Sequence, residues 1–510
     1  MPTSKRYRTG SGSDRVITEA KQNMTNRRNF IKSVMTGGAG IALSSNAIVR
    51  AIDPARRTLM ADDPWSQASQ ILARIKAPVF PAHDFPITKF GAAANGKADC
   101  TEAFAKAIEA CNKAGGGRVV VPAGEFLTGA IHLKSNVNLH VAKNATIKFS
   151  QDPKKYLPAV FTRWEGMELM GYSAFIYAFE QKNIAITGEG IIDGQADCEH
   201  WWPWAGRTGC GWKQGDPNAR KARTLLQEMV AKSTPVSERV FGDESYLRPN
   251  FIQPHRCQNV LIEGVTLRHS PMWHIHPLLC TNVTVRAVNI EREAGATDPT
   301  GPNTDGCNPE SCRDVLIENC VFATGDDCIA IKAGRNNDGR RVAVPSENFI
   351  IRGCEMKDGH GGITIGSEIS AGVRNIFAEN CHMDSPNLNI ALRFKNNALR
   401  GGNLENFYFR NIEVGQVRDA VLTVDFNYEE GEKGPFTPVV RNVVVNNLRS
   451  GKSARAFDLQ GFKNAPIYNV RLADCTFDNV AKENMVKNVQ GLELKNVRIN
   501  GKIVADAGGQ

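Results

Sequence analysis

The sequence predicts an all-β fold: a parallel β-helix solenoid closed at its N-terminal end by a capping helix. Three observations predict it. First, the chain has 510 residues. A single core rarely grows beyond ~250–300 residues, so the chain is either several domains or a repeat that grows along one axis. Second, one unit recurs: Asn or Asp, alternating apolar residues, then Gly, Asn or Asp, then an apolar residue or Cys. It reads NIAITGEGIIDG from Asn183, NVLIEGVTL from Asn259, NVTVRAVNI from Asn282, DVLIENCVF from Asp314, NFIIRGCEM from Asn348, NIFAENCHM from Asn375, NFYFRNIEV from Asn406 and NVRLADCTF from Asn469. The middle spacings of 23, 32, 34, 27 and 31 residues are each the size of one coil. Third, the apolar period is two, and the turns lack tight hairpin pairs. Short strands therefore stack on the next coil at ~4.8 Å instead of folding back. The recurrent Asn is predicted to form a side-chain ladder along the stack.

The elements follow in order. Thr25 to Ala51 contains the twin arginines Arg27 and Arg28, then Phe30, Ile31 and Lys32, then a mildly apolar, small-residue stretch. It is too short and Gly-rich for a membrane span, and it resembles a twin-arginine export signal. Residues 1–51 are read as leader and 52–80 as linker, with 81–507 as one β-helix domain. TEAFAKAIEACNKAGGG, from Thr101, reads as the capping helix. Thr101 is its predicted cap, Phe104, Ile108 and Cys111 its apolar face, and Gly115 to Gly117 its stop. Strand-like runs follow from Arg118. An insertion at about 198–250 interrupts the repeats. It holds Trp201, Trp202, Trp204 and Trp212, four of the seven tryptophans, and a short helix near Asn218–Lys232. These tryptophans either wall off one end of a groove or pack a small core of their own. VDFNYEEGEKGPF, from Val424, reads as a surface loop offering Tyr428.

Composition narrows the function. The chain is 42% hydrophobic and 23% charged, ordinary for a soluble protein. Net charge is +9, which favours an acidic partner, yet no basic run past the leader resembles a nucleic-acid arm. Thirteen cysteines without a CxxC pair argue for buried apolar positions, not a zinc ribbon or a disulfide framework. His274 and His276, in PMWHIHP, lack an evident third metal ligand.

The repeat brings acids together. DGC at Asp305 and DDC at Asp326 lie 21 residues apart, so they fall on successive coils with Cys307 and Cys328 stacked inside. Asp326 and His360 each lie 12 residues after their coil's anchor, Asp314 and Asn348, so His360 is predicted one rung above Asp326. One coil further, aligning Ile390 and Leu392 with Ile363 and Ile365 brings Arg393 and Lys395 to the same strip. Three clustered carboxylates repel, so at least one holds its proton near working pH. A protonated carboxyl beside ionised ones is what glycoside hydrolysis needs, and Arg393 and Lys395 suit a substrate carboxylate. The same acids could instead form turns or hold calcium.

NTDG, GDD, GHG and RFK, in this order, resemble the polygalacturonases of glycoside hydrolase family 28. The stretches FGAAANGKADCTEAFAKAIEAC, VPAGEFLTGAIHL and SPMWHIHPLLCTNVTV extend the resemblance over most of the chain past the leader. It implies a right-handed parallel β-helix that hydrolyses α-1,4-galacturonosyl bonds of pectin with inversion, without metal or other cofactor. It implies Asp326 as general acid, Asp305 and Asp327 as activators of water, and His360 as the residue that tunes the acid. Arg393 and Lys395 would bind a galacturonate carboxylate, and Asn303 would shape the site. Gly325 stands where many members have Gln. Phe394 stands where fungal endo-enzymes usually have Ile, and RFK looks more like the bacterial branch, which includes exo-acting members. The expected partner is an acidic plant polysaccharide, with no nucleic acid and no membrane once the leader is removed. The expected form is a monomer in the periplasm or outside the cell. The rivals are a rhamnogalacturonan or xylogalacturonan hydrolase of the same family, a calcium-dependent pectate lyase, and a non-catalytic carbohydrate-binding solenoid.

Overall fold

The computed structural model describes residues 63–292 and 301–504. Its contacts divide the chain into Met1–Ala61 and Asp62–Gln510, and the description concerns the second unit. The leader, with Arg27 and Arg28, lies outside the described residues.

The fold is the expected parallel β-helix. In one file of strands, Gln258–Glu263 pairs in parallel with Thr281–Arg286, and that strand with Arg313–Glu318. The file continues through Ser346–Arg352, Val373–Glu379, Asn403–Gln416 and Val439–Lys452. A second file runs through Ile329–Ile331, Glu355–Ile365, Leu388–Lys395 and Ala420–Asp425. Single bridges from Ile252 to Ile275, Cys307 and Ile329 carry it towards the N-terminus. Inward-facing residues stack into columns. Val260, Val283, Val315, Phe349, Ile376, Phe407, Val443 and Val470 form one, each buried. Apolar side chains on every second residue leave water one coil at a time, so the core grows with the stack.

The anchors explain why the repeat opens on Asn. Asn183, Asn259, Asn282, Asp314, Asn348, Asn375, Asn406 and Asn469 all adopt φ between 53° and 65°. Asn and Asp tolerate this left-handed region better than other residues with a Cβ. Their amides also bond up the stack, from Asn375 to Asn348, Asn406 to Asn375 and Asn442 to Asn406, at 2.9–3.1 Å. Eleven cysteines are buried and free, while Cys198 and Cys210 are joined within the insertion.

Three expectations need correction. Thr101 opens helix Thr101–Lys113 but does not cap it. Asp99 Oδ1 instead accepts the Thr101 N–H at 2.9 Å, and the Thr101 hydroxyl accepts from Gly129 N. The expected linker over 52–80 contains an amphipathic helix, Pro64–Arg74. Its Trp65, Ala68 and Ile71 pack on Leu316, Ile350 and Phe377 of three successive coils, and Arg410 lies over the Trp65 ring. Only a few apolar residues make that face, too few to read against the polar ones between them. Finally, the insertion does not stand alone. Val160–Trp164 and Met167–Gly171 form an antiparallel hairpin, which Val240–Phe241 joins as a third strand. With helix Arg220–Ala231 they enclose a separate small core around Trp164, Leu169, Leu226 and Trp273. This lobe flanks the second strand file.

Candidate active site

The second file carries the acids. Cys307 bridges to Ile329, not to Cys328 as the spacing of the two triplets predicts, and Gly306 N donates to Asp327 O at 2.9 Å. The register is thus one residue from the expected one, and Asp305 lies one rung below Asp327, with Asp326 beside it. His360 N donates to Asp326 O at 2.9 Å, placing His360 one rung above, as its spacing predicts. Oxygens of Asp305, Asp326 and Asp327 lie within 4.8 Å of one another. Two glycines make room. A Cβ on Gly361 would sit 2.8 Å from Asp327 Oδ1, and one on Gly325 would sit 2.6 Å from Thr304 Oγ1. The GHG glycine after His360 is therefore space for a carboxylate, and no side chain fits at 325.

The cations arrive by a register other than the expected one. Ile390 pairs with Gly361, and Leu392 with Ile363, two residues away from the alignment read off the sequence. A slip of two preserves the face of every side chain, because the strand period is two. Arg393 and Lys395 consequently still reach the acids. Lys395 Nζ lies 2.6 Å from Asp327 Oδ2, and Arg393 Nη1 lies 3.4 Å from Asp327 Oδ1. Both face the Tyr428 ring at 5.3 and 5.8 Å.

Asp305, Asp326, His360, Arg393, Lys395 and Asn303 all line one cavity of about 460 Å³. Asp327 lies beneath it, fully buried under the two cations. The hairpin tip, Trp164 and Glu165, and insertion residues Ala205 to Arg223 line its other side. The four tryptophans take neither role expected of them, since none lines this cavity and none joins the small core of the lobe. Trp201 is buried against Tyr156 and Phe175 in the main core. Trp202 donates from Nε1 to Ser270 O and lines a neighbouring cavity of about 520 Å³. Trp212 is half-buried, with Arg220 over its ring. His274 Nδ1 bonds Asp305 O at 3.0 Å, and His276 Nε2 bonds Glu310 at 2.9 Å, so both histidines have partners other than a metal.

Sequence reasoning missed Lys332, in IAIKAG four residues after Cys328 of DDC. Its Nζ lies 3.0 Å from Glu368 and 3.7 Å from Asp305, over the Trp273 ring. It also missed Arg248, whose Nη2 donates to Asn303 Oδ1 at 2.8 Å. Neither carries a motif; the inward strand register of Lys332 was the only available signal.

Three carboxylates this close also suit a divalent cation. Here the ammonium of Lys395 already occupies the acid cluster on Asp327, and that of Lys332 approaches Asp305.

The electrostatics are asymmetric. Burial and the neighbouring Asp326 push the Asp305 carboxyl up to about 8. Burial also raises Asp326, but its hydrogen bond to His360 and the charges of His360, Lys395 and Lys332 outweigh that and hold it well below the usual carboxylate range. The Asp326 bond, at 3.1 Å, raises His360 in turn. So the free protein keeps its proton on Asp305, not on Asp326 as the resemblance implied. The sign follows. Asp305 binds its proton more tightly folded than unfolded, so its contribution weakens as pH rises from the usual carboxylate range to about 8. Asp326 contributes the opposite way and loses its contribution as pH falls. Above pH 8 the cluster has no proton to deliver. Accordingly, kcat/KM should fall along an alkaline limb with a midpoint near pH 8. A profile flat from pH 7 to 9.5 would refute this distribution.

Comparison with known proteins now adds a decisive observation. The model for glycosyl hydrolases family 28 matches residues 240–500, just over half the chain. The chain belongs to this family. A solved structure, that of a hyperthermoactive exopolygalacturonase from Thermotoga maritima, is 44% identical, with a TM-score of 0.82 over 86% of this chain and 97% of that one. An exo-poly-alpha-D-galacturonosidase of Dickeya chrysanthemi is 27% identical, covering 88% of this chain and 79% of its own. A probable polygalacturonase of Vitis vinifera is 26% identical, with 79% and 76% covered. This family 28 chain is therefore a glycoside hydrolase.

Proposed function

We propose that the chain hydrolyses α-1,4-galacturonosyl bonds of pectin from a chain end, without a metal. The observation that carries this reading is the cavity: carboxyls at its foot, an excess of cations around them, and an inserted lobe along one side. Its volume falls within the ~300–1,000 Å³ of small-ligand sites, and its charge suits a uronate. The likeness to exo-acting relatives supports action from an end.

In the proposed mechanism a galacturonate carboxylate engages Arg393 and Lys395. That weakens the positive field on Asp326, and the proton held by Asp305 passes to it. Asp326 then protonates the glycosidic oxygen as the bond breaks. Asp305, now ionised, takes a proton from the water that attacks the anomeric carbon, while Asp327 fixes Lys395 and Arg393. One turnover leaves Asp305 protonated and Asp326 ionised, which is the resting distribution. Export by the twin-arginine leader to the periplasm or beyond, where pectin would be met, belongs to the same proposal.

One observation favours a second stereochemistry. The 4.8 Å limit on the acid oxygens is shorter than the ~6.5–9.5 Å usual for inverting pairs and nearer that of retaining ones. We hold to inversion, with the water between Asp305 and Asp327. Proton NMR of the first product decides: the β-anomer supports inversion, and the α-anomer moves Asp305 or Asp327 to the nucleophile's role.

The activity is tested by mass spectrometry of polygalacturonic acid digests with and without EDTA. Saturated monomer from the earliest time, unaffected by chelator, is the expected result. A ladder of oligomers would remove the exo reading. Unsaturated, calcium-dependent products would replace hydrolysis by elimination. Turnover of xylogalacturonan or rhamnogalacturonan alone would move the substrate within the family.

A further inference from the structure

Five arginines of the described residues are buried: Arg163, Arg239, Arg248, Arg335 and Arg400. Four have a carboxylate within 4.0 Å, namely Glu310, Asp338, Glu165 and Glu429 respectively. Arg248 is the exception. It is 3% exposed, and its guanidinium bonds only neutral acceptors, the carbonyls of Pro271 and Pro302 and Oδ1 of Asn303. Its Nε has no hydrogen-bond partner. Burial and the like charge of Arg207 lower its pKa to about 9, against the weaker pull of Glu165, Asp326 and Asp305, none of which it bonds. A desolvated charge without a counter-charge is costly and is retained where a ligand supplies the missing partner.

Position says which partner. Arg248 lines the catalytic cavity, as does Arg207, an exposed residue of the insertion. Arg248 precedes strand Ile252–His255, on a coil before the acids, whereas Arg393 and Lys395 lie on a coil after them. Two cation sets thus stand on opposite sides of Asp305 and Asp326. A bond between two uronates presents one carboxylate on each side of the cleavage point. The inserted lobe lies beside Arg248 and Arg207, so that side receives the chain end.

We propose that Arg248, with Arg207, binds the carboxylate of the terminal sugar, on the glycone side of the bond, while Arg393 and Lys395 bind that of the leaving unit. The site therefore selects a bond flanked by two free uronates. This rests on the galacturonide hydrolase reading. The Arg248 bond to Asn303 Oδ1 also turns the Asn303 amide N–H groups away from Arg248, as donors for the same sugar.

The test uses 4-nitrophenyl α-galacturonide, whose one carboxylate is on the glycone, and 4-nitrophenyl α-galactoside, which has none. In Arg207→Gln and in Arg248→Lys, the ratio of kcat/KM for galacturonide over galactoside should fall by about 10-fold or more, the effect of a charge-assisted bond. A merely structural Arg248 would lower both substrates together and leave the ratio unchanged. Arg207→Gln changes an exposed residue, so it reads the same ratio even if Arg248→Lys fails to fold. Unchanged ratios in the folded variants overturn the proposal alone. Absence of galacturonide and digalacturonate turnover by the unmodified enzyme overturns it together with the hydrolase reading.

Discussion

Asp326→Asn should lower kcat by about 10³–10⁴-fold, while the affinity for galacturonan oligomers stays within a few-fold. Asparagine matches the carboxylate in shape but cannot deliver a proton to the leaving oxygen. The cations that hold the substrate are untouched, since Arg393 and Lys395 pair with Asp327. Folding should survive, because removing one of three clustered carboxylates relieves repulsion. His360 loses the hydrogen bond that raises it, so its titration should move down towards the ordinary histidine range. Steady-state kinetics, oligomer binding by calorimetry and histidine NMR read the three effects separately. A kcat within 10-fold of the unmodified enzyme would place the acid elsewhere, with Asp305 next in line.

Arg163→Met should destabilise the protein by about 3–5 kcal/mol, the cost of stripping one partner from a buried ion pair. Arg163, on the hairpin strand Val160–Trp164, is fully buried. Its Nη1 donates to Glu310 Oε1 at 2.8 Å and its Nη2 to Glu168 Oε1 at 3.2 Å. Glu168 would keep Arg341, but Glu310, equally buried, would keep only His276 and the N–H of Gly334. Glu310 bridges to Lys332, the residue against Asp305, so the hairpin and the site should loosen together. Thermal unfolding of Arg163→Met, Glu310→Met and the double variant gives the coupling directly. If the double variant is as unstable as the sum of the singles, the pair is not the anchor of the hairpin.

The two results mark what was readable in advance. Asp305, Asp326, Asp327 and His360 were legible because a solenoid converts sequence spacing into spatial register. Twelve residues from an anchor become the same place one rung up, as for Asp326 and His360, while the spacing of DGC and DDC misses the true register by one residue and still brings the acids together. Arg393 and Lys395 were legible despite a two-residue error, because an even slip leaves side chains on the same face. Arg163 with Glu310, Lys332 with Glu368, and Arg248 with its missing counter-charge were not legible. Arg163 and Glu310 lie 147 residues apart and meet only because a hairpin from one coil folds over the strands of others. The helix Pro64–Arg74 was passed over for the same reason, since its face makes sense only against Leu316, Ile350 and Phe377.

The sequence by itself determined the solenoid, the stacking of the acids and the strip of charge beside them. Each depends on a local period repeated along the chain, and a period needs no distant partner to be read. Only the tertiary structure decided where the proton rests, how the inserted lobe sits beside the groove, and which buried arginine lacks a counter-charge. Those depend on burial and on charges brought close from remote segments, and the electrostatic cost of desolvation is set by the surroundings of a group rather than by its neighbours in sequence.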